Sequence, residues 1–556
     1  MRALHIALVV ALGVTVSSQV LATEDANRVQ PAGPEDAGEV LAAQAAPPTP
    51  TPLPEAPAPV NLSQFKKLAV TTSWSGRLMS LLGLGVLLGI AFALSRSHRR
   101  VDWRLVAWGL GLQFLFGLLV IKTSLGEQLF SVVNSAFMAL LSFTEAGSSF
   151  LFGNLARTAN VPVGAAAGPF APIQASGNWA SVGATFAFGV LPTIVFFSSL
   201  MTVLYHLGVM QHVVRVFAWV MQKTMRTSGA ETLSAAGNIF VGQTEAPLLI
   251  KPYVATMTLS ELMAVMVGGF ATVAGGVMAA YVGMLHPFFP DIAGHLLSAS
   301  VMSAPAALVC AKLMWPEDGD PVTRGTVRLK VERIDANLID AASRGAGDGL
   351  KLALNVGAML LAFIALVAMA NALIGLPALW HNQAAWGHAV DALGRAGLPL
   401  PAGCAEPDGA LALKQCLDQV LHDGTVRDVT SWMPWSMERI LGILLAPLAW
   451  LMGVPWQDAP LIGSLLGVKT ILNEFVAYQQ LAGMLASNQI AHPRSIVIAT
   501  YALCGFANFG SIAIQIGGIG GIAPERRQDL ARMGLRAMIG GTLAAFMTAT
   551  VAGMLL

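Results

Sequence analysis

Midway along the chain stands Gly237-Asn238-Ile239-Phe240-Val241-Gly242-Gln243-Thr244-Glu245-Ala246-Pro247-Leu248-Leu249-Ile250, two amides, a hydroxyl and a carboxylate set between apolar flanks. Far downstream, Lys469-Thr470-Ile471-Leu472-Asn473-Glu474-Phe475-Val476-Ala477-Tyr478 has the same character. Ionisable groups in apolar spans are costly and mark functional sites by default. Each stretch predicts a hairpin that enters a membrane, turns at a polar tip and leaves on the side it came from. Two full spans are also interrupted, by Gly268-Gly269-Phe270-Ala271-Thr272-Val273-Ala274-Gly275-Gly276 and by Cys504-Gly505-Phe506-Ala507-Asn508-Phe509-Gly510-Ser511. Such residues permit unwound backbone, which a membrane tolerates only where protein buries it or a cavity wets it. The order hairpin, broken span, intact span occurs over 232–314 and again over 461–555. The first hairpin opens near the inside and the second near the outside. Inverted repeats with paired broken helices point to a secondary transporter whose site lies near the bilayer midplane. Polar residues that merely bond helices together would account for single positions, not for the repeated order.

The whole composition agrees. Of 556 residues, 55% are hydrophobic and 11% charged, and the mean hydropathy is +0.64, whereas soluble chains carry about 25% charged residues. A bilayer crossing needs about 20 apolar residues. Spans are predicted over 74–94, 103–121, 184–207, 259–285, 296–314, 350–373, 495–514 and 533–555. The stretches 125–152, 232–250, 437–452 and 461–485 carry mid-stretch polar residues or are short, and read as interfacial helices or re-entrant hairpins. The fold class is therefore an all-α polytopic membrane protein with eight transmembrane helices, two re-entrant hairpins and interfacial helices arranged as an inverted repeat. A net charge of +1 leaves no basic field for nucleic acid. Four cysteines without paired Cys/His spacing exclude a structural zinc site.

Arg2, the apolar run to Val16 and the small residues ending at Ala22 have the order of a cleavable signal peptide over 1–22. The Ala/Pro-rich residues 23–60 read as a disordered periplasmic tether. An outside N-terminus puts four basic clusters inside: Arg96, Arg99, Arg100 and Arg104; Arg215, Lys223 and Arg226; Arg324, Arg328, Lys330, Arg333 and Arg344; and Arg526, Arg527 and Arg532. This is the distribution that cytoplasmic loops show. The expected setting is a bacterial inner membrane with both termini periplasmic. The organisation then reads as N-terminal helices over 61–230, a first transport repeat over 231–316, a cytoplasmic loop and scaffold helix over 317–374, a periplasmic insertion over 375–436 and the second repeat, with its interfacial helix, over 437–556. Cys404 and Cys416 fall in that insertion, where an oxidising compartment permits a disulfide.

Gly242-Gln243-Thr244-Glu245-Ala246-Pro247-Leu248-Leu249, Asn473-Glu474-Phe475-Val476-Ala477-Tyr478 and Gly505-Phe506-Ala507-Asn508-Phe509-Gly510-Ser511 closely resemble the concentrative nucleoside transporter family. The likeness runs in order from about residue 74 to the C-terminus. It implies a homotrimer that imports nucleosides by moving a transport domain across the membrane. It assigns the nucleobase to Gln243, Thr244, Glu245 and Val277, and the ribose to Glu474, Asn508, Ser511 and Phe506. It assigns a coupling sodium ion to Asn238, Val241, Thr272 and Val273, with a proton on Glu245 or Glu474 as the alternative. The chemistry is consistent: a carboxylate accepts from ribose hydroxyls, and an amide offers a base edge both a donor and an acceptor. No cofactor is implied. Gly345-Ala346-Gly347-Asp348 has the form of an intramembrane aspartyl protease tetrad, but no second span aspartate accompanies it. No phosphate-binding Gly-rich loop supplies an ATP motor. A nucleoside-binding sensor would need the same pocket and an appended signalling domain.

Overall fold

A computed structural model describes residues 74–153, 159–163, 178–182, 186–324, 335–396, 399–400, 404, 416 and 436–556, all within a compact unit from Pro59 to Leu556. The expected signal peptide and the tether lie outside the described residues. Helices α1 (Trp74–Ala93) and α2 (Trp103–Lys122) come first, and Asp102 caps α2 by accepting from Arg104 N at 2.9 Å. Helix α3 (Ser124–Phe152) is one continuous helix, which removes the re-entrant hairpin of the two readings of 125–152 and leaves the interfacial helix. It is unbroken, and its part from Ser131 to Phe152 is long and apolar enough to cross a membrane. Its polar residues demand no break because Ser142 and Thr144 donate to the carbonyls of Ala139 (2.7 Å) and Leu140 (3.3 Å) within the same helix. The β structure among the described residues is one antiparallel pair, β1 (Ala159–Val163) and β2 (Asn178–Val182).

Short α4 (Phe186–Gly189) and α5 (Leu191–His206) fill the third expected span, with Pro192 in the first turn where its missing N–H costs nothing. Helix α6 (Val209–Met225) follows. The first repeat is α7 (Gly229–Gly237), a 3-10 turn (Ala246–Ile250), α8 (Lys251–Val254), the broken pair α9 (Leu259–Ala271) and α10 (Gly275–Leu285), and α11 (Ile292–Met314). Helix α12 (Leu338–Ala396) lies along α5. It contains the span expected over 350–373 but does not stop there, so the insertion expected from 375 begins inside a helix. Hydropathy falls beyond 375 while helix-forming Ala and Leu persist. Trp386, Ala389 and Leu393 bury one stripe of this extension, and Cys404 and Cys416 are joined by a disulfide.

The second repeat follows α13 (Met437–Leu451): α14 (Ala459–Ile471), α15 (Glu474–Ala486), the broken pair α16 (Pro493–Leu503) and α17 (Phe509–Ile522), and α18 (Arg527–Leu555). Each of the eight expected spans thus falls on a helix or a broken pair. The core is α9, α11, α16 and the C-terminal part of α18 from Ala537 on, packed together and nearly all buried. Glycine makes their contact possible. A Cβ on Gly541 would stand 2.3 Å from that of Phe270, and one on Gly505, at φ +127°, 2.7 Å from the Phe270 carbonyl oxygen. The two helix breaks therefore meet at mid-molecule. Around this core, Leu115, Leu354, Leu361, Ile443 and Leu444 are exposed, a surface suited to lipid rather than water.

Candidate functional site

The second hairpin turns at Leu472 and Asn473, and Asn473 caps α15 by accepting from Val476 N at 2.9 Å. The cap places Glu474 in the first turn of α15, buried at 4% exposure. Its Oε1 accepts from Tyr281 Oη at 2.9 Å and its Oε2 from Asn508 Nδ2 at 3.0 Å. Asn508 in turn caps α17, with Oδ1 accepting from Ser511 N at 2.8 Å. That backbone donor fixes the amide: Oδ1 serves the cap, so Nδ2 faces the carboxylate. The N-termini of α15 and α17, each the positive end of a helix dipole, converge on Glu474.

From the first hairpin, Gln243 reaches across. Its Nε2 donates to Ser511 Oγ at 3.2 Å, and its Oε1 accepts from Gln515 Nε2 at 3.0 Å. One string of hydrogen bonds therefore runs from hairpin 1 through Gln243, Ser511, Asn508 and Glu474 to Tyr281 on α10. It brings together the expected base-reading amide and three of the four expected ribose groups. Thr244 lies against α17, where a Cβ on Gly518 would stand 3.0 Å from its methyl carbon. Glu245 is exposed at the hairpin tip, Val277 is buried on α10, and Phe506 is half-buried in the unwound break. These four lie outside the hydrogen-bonded string. Sequence reading missed Tyr281 and Gln515. A single phenol in apolar α10 and a single amide in apolar α17 were the available signals.

The expected ion ligands gather at the other break. Asn238 is fully buried, and neither its Oδ1 nor its Nδ2 has a hydrogen-bond partner among the described residues. It sits beside α9, with Gly268 leaving room: a Cβ there would lie 3.4 Å from Asn238 Nδ2. Thr272 Oγ1 donates to the Gly268 carbonyl at 2.9 Å, which leaves the hydroxyl oxygen's lone pairs available. Gly275 N donates to the Phe240 carbonyl at 3.0 Å and ties the hairpin tip to the break. Val241 and Val273 are buried on either side. An orphaned amide oxygen beside the carbonyl end of a half-helix offers neutral hard oxygens at a negative dipole end. That donor set fits an alkali cation.

Three family models match in order: "Na+ dependent nucleoside transporter N-terminus" over 82–155, "Nucleoside recognition" over 187–288 and "Na+ dependent nucleoside transporter C-terminus" over 295–391 and 409–553. Among curated proteins, the chain is 42% identical over 492 residues to sodium/nucleoside cotransporter 1 of Mus musculus and 38% identical over 486 residues to solute carrier family 28 member 3 of Eptatretus stoutii. Those alignments cover 86% and 85% of this chain but only 64% and 60% of the relatives. Among solved structures it resembles CNTnw in an inward-facing substrate-bound state, at 37% identity and TM-score 0.67, covering 86% of this chain and 98% of that one. A CNTnw variant in an outward-facing state matches at 38% identity and TM-score 0.66, covering 86% and 97%. Another, in an intermediate state, matches at 37% identity and TM-score 0.69, covering 86% and 98%.

Proposed function

Since this chain belongs to the concentrative nucleoside transporter family, a family of transporters rather than enzymes, we propose that it imports nucleosides by sodium symport, with a transport domain built from 231–316 and 437–556 that moves between inward- and outward-facing positions. The observation that carries this reading is the string from Gln243 to Tyr281 lying next to the orphaned Asn238. A carboxylate has about four lone-pair sites, and Tyr281 and Asn508 occupy two of those on Glu474. The remaining two suit ribose hydroxyls, in charge-assisted bonds of about 1.5–3 kcal/mol each. Gln243, Thr244, Glu245 and Val277 then face the base, and Ser511 and Phe506 complete the ribose side. Sodium is held by Asn238, Thr272 and the carbonyls of Val241 and Val273. Filling that site ties hairpin 1 to the break of α9, which orders Gln243 for the substrate and couples the ion to the nucleoside.

The setting we propose is a homotrimer in a bacterial inner membrane, with residues 1–22 a signal peptide and both termini periplasmic. The basic clusters on one side support that orientation. The test is uptake of labelled uridine and adenosine into liposomes under an inward sodium gradient, an inward proton gradient, or neither. Sodium-driven accumulation is expected, and Glu474→Ala is expected to abolish it. Accumulation driven only by protons would overturn the ion assignment, and binding without accumulation would make the protein a sensor.

A further inference from the structure

The position of Gln515 deepens this reading. It lies on α17, fully buried, with no other side-chain amide, carboxylate or base among its helix neighbours from Phe509 to Ile522. Its Nε2 is shared between the Met266 carbonyl oxygen at 3.1 Å and Gln243 Oε1 at 3.0 Å, and its own Oε1 has no partner among the described residues. Gly269 makes the approach possible, since a Cβ there would stand 2.7 Å from Gln515 Nε2 and 2.9 Å from Gln243 Cβ.

A side-chain amide is a symmetric object to packing and an asymmetric one to hydrogen bonding, so its orientation is set by partners that cannot change role. A backbone carbonyl only accepts. The Met266 carbonyl therefore obliges Gln515 to present Nε2 on that side. The second proton of that nitrogen meets Gln243, which must answer with Oε1. Gln243 Nε2 is then turned to Ser511 Oγ, whose own proton is left to donate elsewhere. One backbone carbonyl thus sets the polarity of three side chains, and Gln243 keeps one lone pair and one N–H in a fixed arrangement.

We infer that Gln515 is a positioning residue for base selectivity: it holds the Gln243 amide in one orientation, so that the transporter discriminates oxo-type bases (uracil, hypoxanthine) from amino-type bases (cytosine, adenine). The two classes present mirrored patterns on the edge in question. Uracil and hypoxanthine offer a ring N–H donor beside a carbonyl acceptor, cytosine and adenine a ring nitrogen acceptor beside an amino donor. A fixed amide matches one pattern and leaves mismatched polar atoms against the other, a difference of about tenfold or more in affinity.

This inference rests on the nucleoside-transport reading, and the experiment separates the two. Competition of labelled uridine uptake by uridine, cytidine, inosine and adenosine is measured in liposomes holding wild type, Gln515→Leu, Gln515→Glu or Gly269→Ala. Wild type is expected to favour one class by about tenfold. Gln515→Leu frees the Gln243 amide to turn, and the preference falls to within about threefold of unity. Gln515→Glu presents only acceptors to Gln243 when ionised, and when protonated it spends its one O–H on the Met266 carbonyl, so Gln243 turns round and the preferred class switches. Gly269→Ala, which pushes Gln515 off Gln243, reproduces the leucine result should that variant not fold. A merely structural role would lower uptake of all four nucleosides alike. Wild-type uptake with no class preference, or a preference that all three variants retain, overturns the inference and leaves nucleoside transport standing. Absence of wild-type uptake overturns the transport reading itself.

Discussion

The two repeats have the same order of elements and place different chemistry beside the carbonyl end of the first half-helix. Counted from the helix caps, Asn238 is ten residues past Ser228 and lies beside Gly268, ten past Thr258. In the second repeat Lys469 is eleven past Asp458, and its ammonium donates at 2.8 Å to the carbonyl of Ala502, ten past His492. The negative end of α16 is thus met by a cation that the chain itself supplies, fully buried and 5.8 Å from the ring of Phe546. The negative end of α9 is met by an amide with no partner among the described residues. Pseudo-symmetry of backbone has become asymmetry of charge: one end is satisfied by the chain's own ammonium, and the other is suited to an ion from solution.

The bases of the hairpins differ in a similar way. In repeat 1, Ser228 with Glu231 and Thr258 with Glu261 form two capping boxes, and Lys312 joins them through Glu231 at 2.7 Å and Ser260 at 2.9 Å. In repeat 2 a single carboxylate does the same work, Asp458 accepting from Ala491 N, His492 N and Nδ1, and Ser495 Oγ at 2.6–3.1 Å. The largest effect on stability should come from breaking the repeat 1 latch. Lys312→Met leaves Glu231 buried without its cation, which costs about 3–5 kcal/mol. The thermal midpoint in detergent should fall sharply, and the double variant Lys312→Met with Glu231→Gln should recover part of the loss. A lysine variant as stable as wild type would mean that the pair does not hold the hairpin base.

The carbonyl-end contrast is tested next. Asn238→Leu should raise the sodium concentration for half-maximal uptake by about tenfold or more, since it removes an uncharged oxygen ligand worth of order 1–3 kcal/mol. Lys469→Met should leave that concentration within about twofold, while stripping the Ala502 carbonyl of its donor at about 1–3 kcal/mol of stability. Equal sodium shifts in both variants would erase the asymmetry drawn between the repeats.

Much of this was legible in the chain. The polar tips, the glycine-rich breaks and their repeated order follow from the cost of polarity in lipid, which few sequences incur without cause. Glu474, Asn508, Ser511 and Gln243 were marked that way, and the structure joins them. What hid was polarity in ones. Tyr281 and Gln515 each interrupt an apolar helix singly, and only packing against another repeat reveals their partners. For 125–152 a re-entrant hairpin stood beside an interfacial helix, and the unbroken α3 removes the hairpin, its hydroxyls bonding to their own helix in a way that hydropathy does not register. The continuation of α12 past residue 375 was not legible, because a drop in hydropathy marks the end of an apolar span and not the end of a helix, which alanine and leucine carry on.

The smallest predicted effect lies outside both repeats and calibrates them. Arg344 binds Asp335 through Nε at 2.5 Å and Nη2 at 2.8 Å, and this hydrogen bonding holds the Asp335 carboxyl below its usual value. A depressed folded-state value means that the contribution to stability is complete above the usual carboxylate range and is lost as pH falls through it and toward the folded value. The Arg344 side chain is 42% exposed, so solvent screens the pair, and its worth should be under about 1 kcal/mol. Arg344→Gln should therefore lower the thermal midpoint slightly at pH 7, and the difference from wild type should shrink toward zero on acidification. High salt should shrink it too. The buried Lys312 latch should keep its effect in the same salt, because charges taken out of water are little screened. If both variants lost their effects to salt in parallel, the latch of repeat 1 would have to be counted as a surface pair like this one.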